Sequence, residues 1–92
     1  MGVEIIEKPK SVSILLTLLD NPEGVGVRSL IDKVGGSATT TISRLKELED
    51  AGLVSHKFIR TNKTWSKCIT LTEKGRKVAE LLAQIRGILG GN

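Results

Sequence analysis

The chain has 92 residues, of which 39% are hydrophobic, with 14 Lys and Arg against 10 Asp and Glu. This length and composition indicate one small globular domain and exclude a disordered chain. The single cysteine excludes an intramolecular disulfide and a cluster of zinc-binding thiolates. No apolar run approaches the roughly 20 residues of a membrane span. We therefore expect a protein without a cofactor, a bound metal or a membrane contact.

The positive charge is concentrated in one segment of the chain. Residues 53–77 contain seven Lys or Arg and one Glu, whereas residues 1–52 contain six basic and eight acidic side chains. A local basic patch indicates a polyanionic partner. A solvated basic surface without a partner is the alternative, and composition alone slightly favours it.

The first half of the sequence predicts a lead-in, two helices and a short strand. After the lead-in of residues 1–10, a helix is predicted over residues 11–20 with Ser11 as its N-cap. Its apolar residues surround nearly the whole axis, as expected for a central helix packed on several sides. Val25-Gly26-Val27 predicts an edge strand, and residues 27–34 have the spacing of a helix with one apolar face.

Residues 38–51 predict a third helix, which follows a Gly35-Gly36 turn and the N-cap Ser37. Two helices joined by so tight a turn form a helix-turn-helix. The predicted inward stripe of the second helix is Ala38, Thr41, Ile42, Leu45 and Leu48. Its predicted outward face carries Thr39, Thr40, Ser43, Arg44 and Glu47.

Residues 54–71 alternate as strands do and predict a β-hairpin that turns at Asn62-Lys63. This register pairs Val54 with Leu71, His56 with Ile69, Phe58 with Lys67 and Arg60 with Trp65, all on one face. We expect that face to be buried, with His56 packed in the core and Trp65 anchoring the hairpin. Arg60 and Lys67 reach solvent near the tip, and Arg60 stacks on Trp65. Cys68 falls on the opposite face.

Residues 72–92 predict a final helix capped by Thr72. Its apolar stripe extends beyond what a domain of this size covers, so we expect a homodimer seam, joined by Val3, Ile5 and Ile6 of the lead-in. The predicted seam residues of this helix are Leu81, Leu82, Ile85, Ile88 and Leu89.

Two motifs resemble those of a known family. Residues 42–54, Ile-Ser-Arg-Leu-Lys-Glu-Leu-Glu-Asp-Ala-Gly-Leu-Val, and residues 69–75, Ile-Thr-Leu-Thr-Glu-Lys-Gly, resemble prokaryotic winged-helix transcriptional regulators of the MarR, HxlR and ArsR kind. The resemblance implies an α+β, mostly helical fold: a winged helix-turn-helix with a three-helix core, a β-hairpin wing and a C-terminal helix. The DNA-binding domain would span residues 11–71, and the subfamily stays open.

The implied function is sequence-specific binding of double-stranded DNA in a prokaryotic cytoplasm, at the nucleoid. A helix with an outward polar face and an Arg fits the major groove, with Arg44 as the direct base reader. The wing would contact the backbone or the minor groove. The predicted helix contacts are Ser37, Thr39, Thr40, Ser43 and Arg44, and the predicted wing contacts are Lys57, Arg60, Asn62, Lys63 and Lys67.

The sequence also bears on two other classes of function. A winged helix also serves as a protein-protein interaction module within a transcription or chromatin complex, and the sequence leaves this alternative open. An enzyme is not expected, because one His and one Cys without paired carboxylates offer no nucleophile and base. The sequence assigns no small-molecule effector.

Overall fold

The computed structural model describes residues 2–90, within which the chain forms five helices and a three-stranded antiparallel sheet. In chain order these are α1 (Glu4–Glu7), α2 (Ser11–Asp20), β1 (Val25–Gly26), α3 (Val27–Val34), α4 (Ala38–Asp50), β2 (Val54–Thr61), β3 (Thr64–Leu71) and α5 (Glu73–Leu89). The strand order is β1-β3-β2. This arrangement confirms the predicted α+β winged helix-turn-helix.

Helix α2 is the centre of the hydrophobic core. Ile14 and Leu15 are fully buried, and α2 contacts α1, α3, α4, α5 and β3. The prediction of a helix packed on several sides is therefore confirmed. The prediction that Ser11 caps it is wrong, because Lys10 is the N-cap, with φ 74°, and Ser11 is the first helical residue. The Ser11 hydroxyl points into the core, where it has no hydrogen-bond partner among residues 2–90.

The hairpin has the register that the sequence predicts. Val54 pairs with Leu71 and Arg60 with Trp65, and the turn residues Asn62 and Lys63 have φ values of 48° and 70°. Two successive positive φ angles define the type I′ turn, whose twist matches that of the flanking strands. The two-residue turn thus sets the pairing of both strands.

The predicted burial of the hairpin is confirmed only where the strands meet the body. Val54 and Ile69 are buried, but Phe58 is 60% exposed and Trp65 64% exposed. The outer half of the hairpin extends past β1, which pairs only with Ile69 and Cys68. No element within residues 2–90 covers the outer half, so both of its faces are open to solvent.

Cys68 is buried, although alternation placed it on the solvent-facing side. The segment leading into β1 covers it: a Cβ atom on Gly24 would lie 2.6 Å from the Cys68 Sγ, and Gly24 has φ 107°. Both the conformation and the space at this position suit glycine. The prediction that Cys68 faces solvent fails because alternation within the hairpin takes no account of the segment before β1, which packs on this side chain.

Helix α5 is joined closely to the end of α4. The Thr72 hydroxyl accepts from the Gly75 N–H at 2.9 Å, as predicted for an N-cap, and donates to the Gly52 carbonyl at 2.6 Å. Gly52 has φ 78°, as expected for the residue after a helix. These bonds fix the start of α5 against the loop that leads into the wing.

Neither a membrane span nor a metal site is found in residues 2–90. Each helix in this range is too short or too polar to cross a bilayer. The same range contains no group of three or more His, Cys, Asp or Glu placed to hold a metal ion.

Candidate nucleic-acid interface

Helix α4 begins with the N-cap that the sequence predicts. Gly35 and Gly36 both have positive φ, and the Ser37 Oγ accepts a hydrogen bond from the Thr40 N–H at 3.4 Å. Ser37, Thr39 and Ser43 are exposed, whereas Thr40 is half-buried. The positive end of the helix dipole therefore lies among small polar side chains, an arrangement favourable to a nearby phosphate.

One exposed stripe runs along the first three turns of α4. It consists of Thr39, Ile42, Ser43 and Lys46, and we call it the reading face. The prediction that Ile42 points inward is wrong, because its side chain is 52% exposed, and Ala38 is exposed as well. The buried side of α4 consists of Thr41, Leu45 and Leu48, as predicted. The helix is rotated about its axis relative to the predicted orientation, which turns Ala38 and Ile42 toward solvent.

Arg44 does not point outward as predicted. Its Nε donates to the Pro9 carbonyl at 2.9 Å, and its guanidinium pairs with Glu47 one turn along the helix. Only 14% of its side chain is exposed. The segment between α1 and α2 lies beside α4 and binds the Arg44 guanidinium. Helical periodicity cannot predict this contact, because the segment is distant from α4 in the sequence.

Glu47 forms a second link between α4 and the segment that joins α1 to α2. Its Oε2 accepts from the Lys8 Nζ at 2.6 Å, in addition to the pair with Arg44. The hydrogen bond from Lys8 is the main cause that lowers the pKa of the Glu47 carboxyl below its ordinary value. Lys8, Pro9, Arg44 and Glu47 thus form one network, which we call the lead-in network.

The wing presents only positive charge. Lys57, Arg60, Asn62, Lys63 and Lys67 are all exposed, as predicted, and residues 54–71 contain no Asp or Glu. The acidic residues Glu49 and Asp50 lie in the last turn of α4, beyond Lys46, which ends the reading face. The hairpin is therefore suited to a polyanionic backbone.

Two further predictions for the wing are wrong, and one is confirmed. The Arg60 Cζ lies 5.9 Å from the Trp65 ring centroid, which confirms the predicted stacking. Trp65 does not anchor the wing, because it is largely exposed and contacts Arg60 rather than the core. His56 is not packed in the core, since its Nδ1 lies 2.6 Å from the Glu49 Oε2 at the surface.

The expected dimer seam divides into two parts. Leu82 packs against the hydrophobic core, and so does Ile5 of α1. The side chains that remain exposed are Val3, Leu81, Ile85, Ile88 and Leu89, the last two to about 80%. An apolar face therefore remains on the C-terminal half of α5, narrower than predicted.

Sequence reasoning missed Ile42 and Lys46 as candidate contacts. Lys46 follows Thr39 and Ser43 at the spacing of one helical stripe, so the signal for it was present in the sequence. Ile42 has no such signal, because an isoleucine on a helix is ordinarily assigned to the core.

The comparisons with known proteins agree with this geometry. A family model described as winged helix-turn-helix DNA-binding matches residues 9–55, which include both helices of the helix-turn-helix. No curated protein matches the chain by sequence.

Several solved structures share the fold. AF1382 from Archaeoglobus fulgidus has 24% identity and a TM-score of 0.78, over 98% of each chain. MepR of S. aureus in complex with DNA has 18% identity and a TM-score of 0.78, over 96% of this chain and 71% of MepR. The transcriptional regulator YodB from B. subtilis has 21% identity and a TM-score of 0.76, over 90% of this chain and 79% of YodB.

Proposed function

Because the chain belongs to the winged helix-turn-helix DNA-binding family, we propose that it is a transcriptional regulator that binds specific sequences in double-stranded DNA. One observation carries the proposal. The reading face is exposed and free of carboxylates, and it begins at a capped helix N-terminus in the same small domain as an all-basic wing. The DNA complex of MepR, which shares this fold, supports it.

Helix α4 enters the major groove with the reading face toward the bases. Thr39 and Ser43 hydrogen-bond base edges or phosphates, and the Ile42 side chain contacts a thymine methyl group. Lys46, three positions further on, binds a phosphate or a guanine. Ser37 and Thr40 contact the backbone at the helix N-terminus.

The role of Arg44 differs from the one that the sequence suggests. Its guanidinium is held by the Pro9 carbonyl and by Glu47. Arg44 therefore orients α4 against the lead-in and is a positioning residue. Base readout falls to the stripe of side chains that the structure leaves free.

The wing binds phosphate or the minor groove through Lys57, Arg60, Asn62, Lys63 and Lys67. Each Lys or Arg at a phosphate releases condensed counterions, so the logarithm of the affinity falls with log[salt] by about 0.9 per contact. These contacts strengthen binding to any duplex and add little sequence preference.

The regulator acts as a homodimer on nucleoid DNA in the cytoplasm. The apolar face left on α5 supports the homodimer, because a second copy of the chain, related by twofold symmetry, would bury Ile85, Ile88 and Leu89. Two reading helices then bind half-sites about one helical turn apart. Residues 11–71 serve as the DNA-binding domain, and residues 72–92 serve as the dimerisation element.

Selection from a random duplex pool tests the proposal. We expect enrichment of a pseudo-palindromic sequence by the wild-type protein. The variant Ser43→Glu, which places a carboxylate on the reading face, should enrich none. The control Asp32→Glu, at an exposed position of α3, should enrich the same sequence as the wild type. Failure of the wild-type protein to enrich any duplex would favour a protein-protein interaction module.

A further inference from the structure

The wing carries an exposed surface with two aromatic rings that groove binding does not require. It consists of Phe58, Arg60, Trp65 and Lys67, and we call it the aromatic face. Phe58 and Trp65 are the only aromatic residues of the Phe, Tyr and Trp class in the whole chain, yet they are 60% and 64% exposed. The chain thus keeps both of its large rings out of its own core.

The aromatic face alternates rings and cations. Phe58 pairs across the strands with Lys67, and Arg60 pairs with Trp65, so each ring has a cation opposite it. The Arg60 guanidinium lies over the Trp65 ring at 5.9 Å, and the Phe58 ring meets the His56 ring edge-on at 5.6 Å. The two rings are diagonal neighbours on one face of a twisted ladder, within reach of successive groups of one ligand.

The chemistry of this face fits unpaired bases. Exposed rings stack on the flat surfaces of bases, and interspersed Lys and Arg bind the connecting phosphates. In a duplex the flat surfaces are covered by neighbouring base pairs, so only an unpaired strand offers them to the rings. A second copy of the chain fits poorly, because residues 54–71 contain four Lys and Arg and no Asp or Glu.

We propose that the aromatic face of the wing binds single-stranded nucleic acid by stacking Phe58 and Trp65 on successive unpaired bases. This function is separate from duplex reading by α4 and does not depend on it. Every base has a flat surface, so binding has little sequence preference.

Trp65 is itself the reporter, because it is the only tryptophan. Titration of the wild-type protein with an oligothymidylate of roughly ten nucleotides, within the site size of a single-strand binding domain, should quench its emission. By anisotropy of the labelled strand, Trp65→Ala and Phe58→Ala should each weaken binding roughly tenfold or more. Trp65→Phe, which retains a ring, should retain most of the affinity.

The matched control is Ile59→Ala. Ile59 is an exposed apolar residue of the same hairpin, but it lies on the opposite face, and its removal should leave binding unchanged. The proposal is overturned if Trp65→Ala binds the single strand as tightly as the wild type, or if Ile59→Ala weakens it equally. It is also overturned if Trp65→Ala changes the oligomeric state, because the face would then contact a second copy.

Failure here is distinguishable from failure of the proposed function. Ser43→Glu on α4 should lose duplex selection and keep oligothymidylate binding, since residue 43 is not on the wing. A protein that selects a duplex but does not bind the single strand through Trp65 refutes only the single-strand function. A protein that binds the single strand through Trp65 but selects no duplex refutes only the duplex function.

Discussion

Ile42 tests whether an exposed apolar side chain of α4 contributes to DNA binding and not to stability. It is 52% exposed on the reading face, so Ile42→Ala should change the free energy of unfolding by less than about 0.5 kcal/mol. The affinity of Ile42→Ala for the selected duplex should fall. Replacement of the thymine proposed to contact Ile42 by deoxyuridine, which lacks the methyl group, should weaken binding of the wild type but not of the variant.

The comparison is Leu48→Ala on the buried side of the same helix. Leu48 is fully buried, so its truncation should cost about 2–5 kcal/mol of stability, measured by denaturant unfolding. Equal stability losses at the two positions would show that Ile42 is packed rather than free for DNA.

Glu47 gives a pH-dependent test of the lead-in network. The Lys8 hydrogen bond lowers the Glu47 pKa in the folded state, so its stabilising effect is present above the ordinary value of 4.5. The effect is lost as the pH falls through the lower folded-state value. The difference in Tm between wild type and Glu47→Gln should therefore be positive at neutral pH and shrink in acid.

Glu23→Gln is the control, since Glu23 is exposed and forms no ion pair within residues 2–90. Its Tm should lie close to that of the wild type. A Glu47→Gln difference that grows in acid would contradict the assigned network.

At the residue scale, the sequence predicts where α4 begins better than it predicts which side chains of α4 face solvent. The helix from residue 38 and the Ser37 cap follow from local patterns, and both are present. The direction of Arg44 depends on the Pro9 carbonyl, which lies 35 residues away in the chain. Periodicity places side chains relative to one another, but only the packed neighbours determine which stripe is free.

At the scale of elements, Gly75 shows how α5 is joined to the rest of the domain. A Cβ atom there would lie 1.8 Å from the Leu53 carbonyl oxygen, a backbone atom that cannot rotate away. Gly75→Ala should therefore destabilise the protein by about 1–3 kcal/mol or more and lower its Tm.

Gly87 in the same helix is the matched control. A Cβ atom at this position would meet no atom of another residue of the described range 2–90 within 4 Å, apart from its chain neighbours and its own helix backbone, so Gly87→Ala should raise stability by about 0.5–1 kcal/mol, as expected for an exposed helix interior. Thermal melts of the two variants should shift in opposite directions. A neutral Gly75→Ala would contradict the close approach of α5 to Leu53.

The hairpin shows what the sequence can and cannot determine about an element. Its register follows from the Asn62-Lys63 turn and from alternation, which are local properties. Its burial does not, because β1 covers β3 only at Ile69 and Cys68 and leaves the aromatic face in solvent. Alternation identifies two faces but not the length over which something packs on them.

The whole molecule is more extended than its length requires. Its radius of gyration is 13.2 Å, and its extents are 44 × 31 × 27 Å. A compact domain of this size would have a radius of gyration of about 12 Å. The wing and the C-terminal half of α5 project from the core. Both carry exposed apolar side chains, which are suited to binding other molecules.

The proposed homodimer is tested by Ile85→Glu. Ile85 is 49% exposed within one chain, so the variant should remain folded by circular dichroism, but sedimentation should show a monomer. Gln84→Glu adds the same charge at the neighbouring exposed position and should leave the dimer intact. A dimer that persists in Ile85→Glu would place the interface elsewhere.

The most direct test of duplex binding is the salt dependence of affinity for the selected DNA and for a random duplex. We compare the wild type with the double variant Lys57→Ala/Lys63→Ala, whose changes avoid the aromatic face. We expect the variant to bind both duplexes more weakly and to show a salt slope reduced by about 1.8, while the preference for the selected site remains. An unchanged affinity and slope at low salt would contradict the assignment of the wing to the DNA backbone.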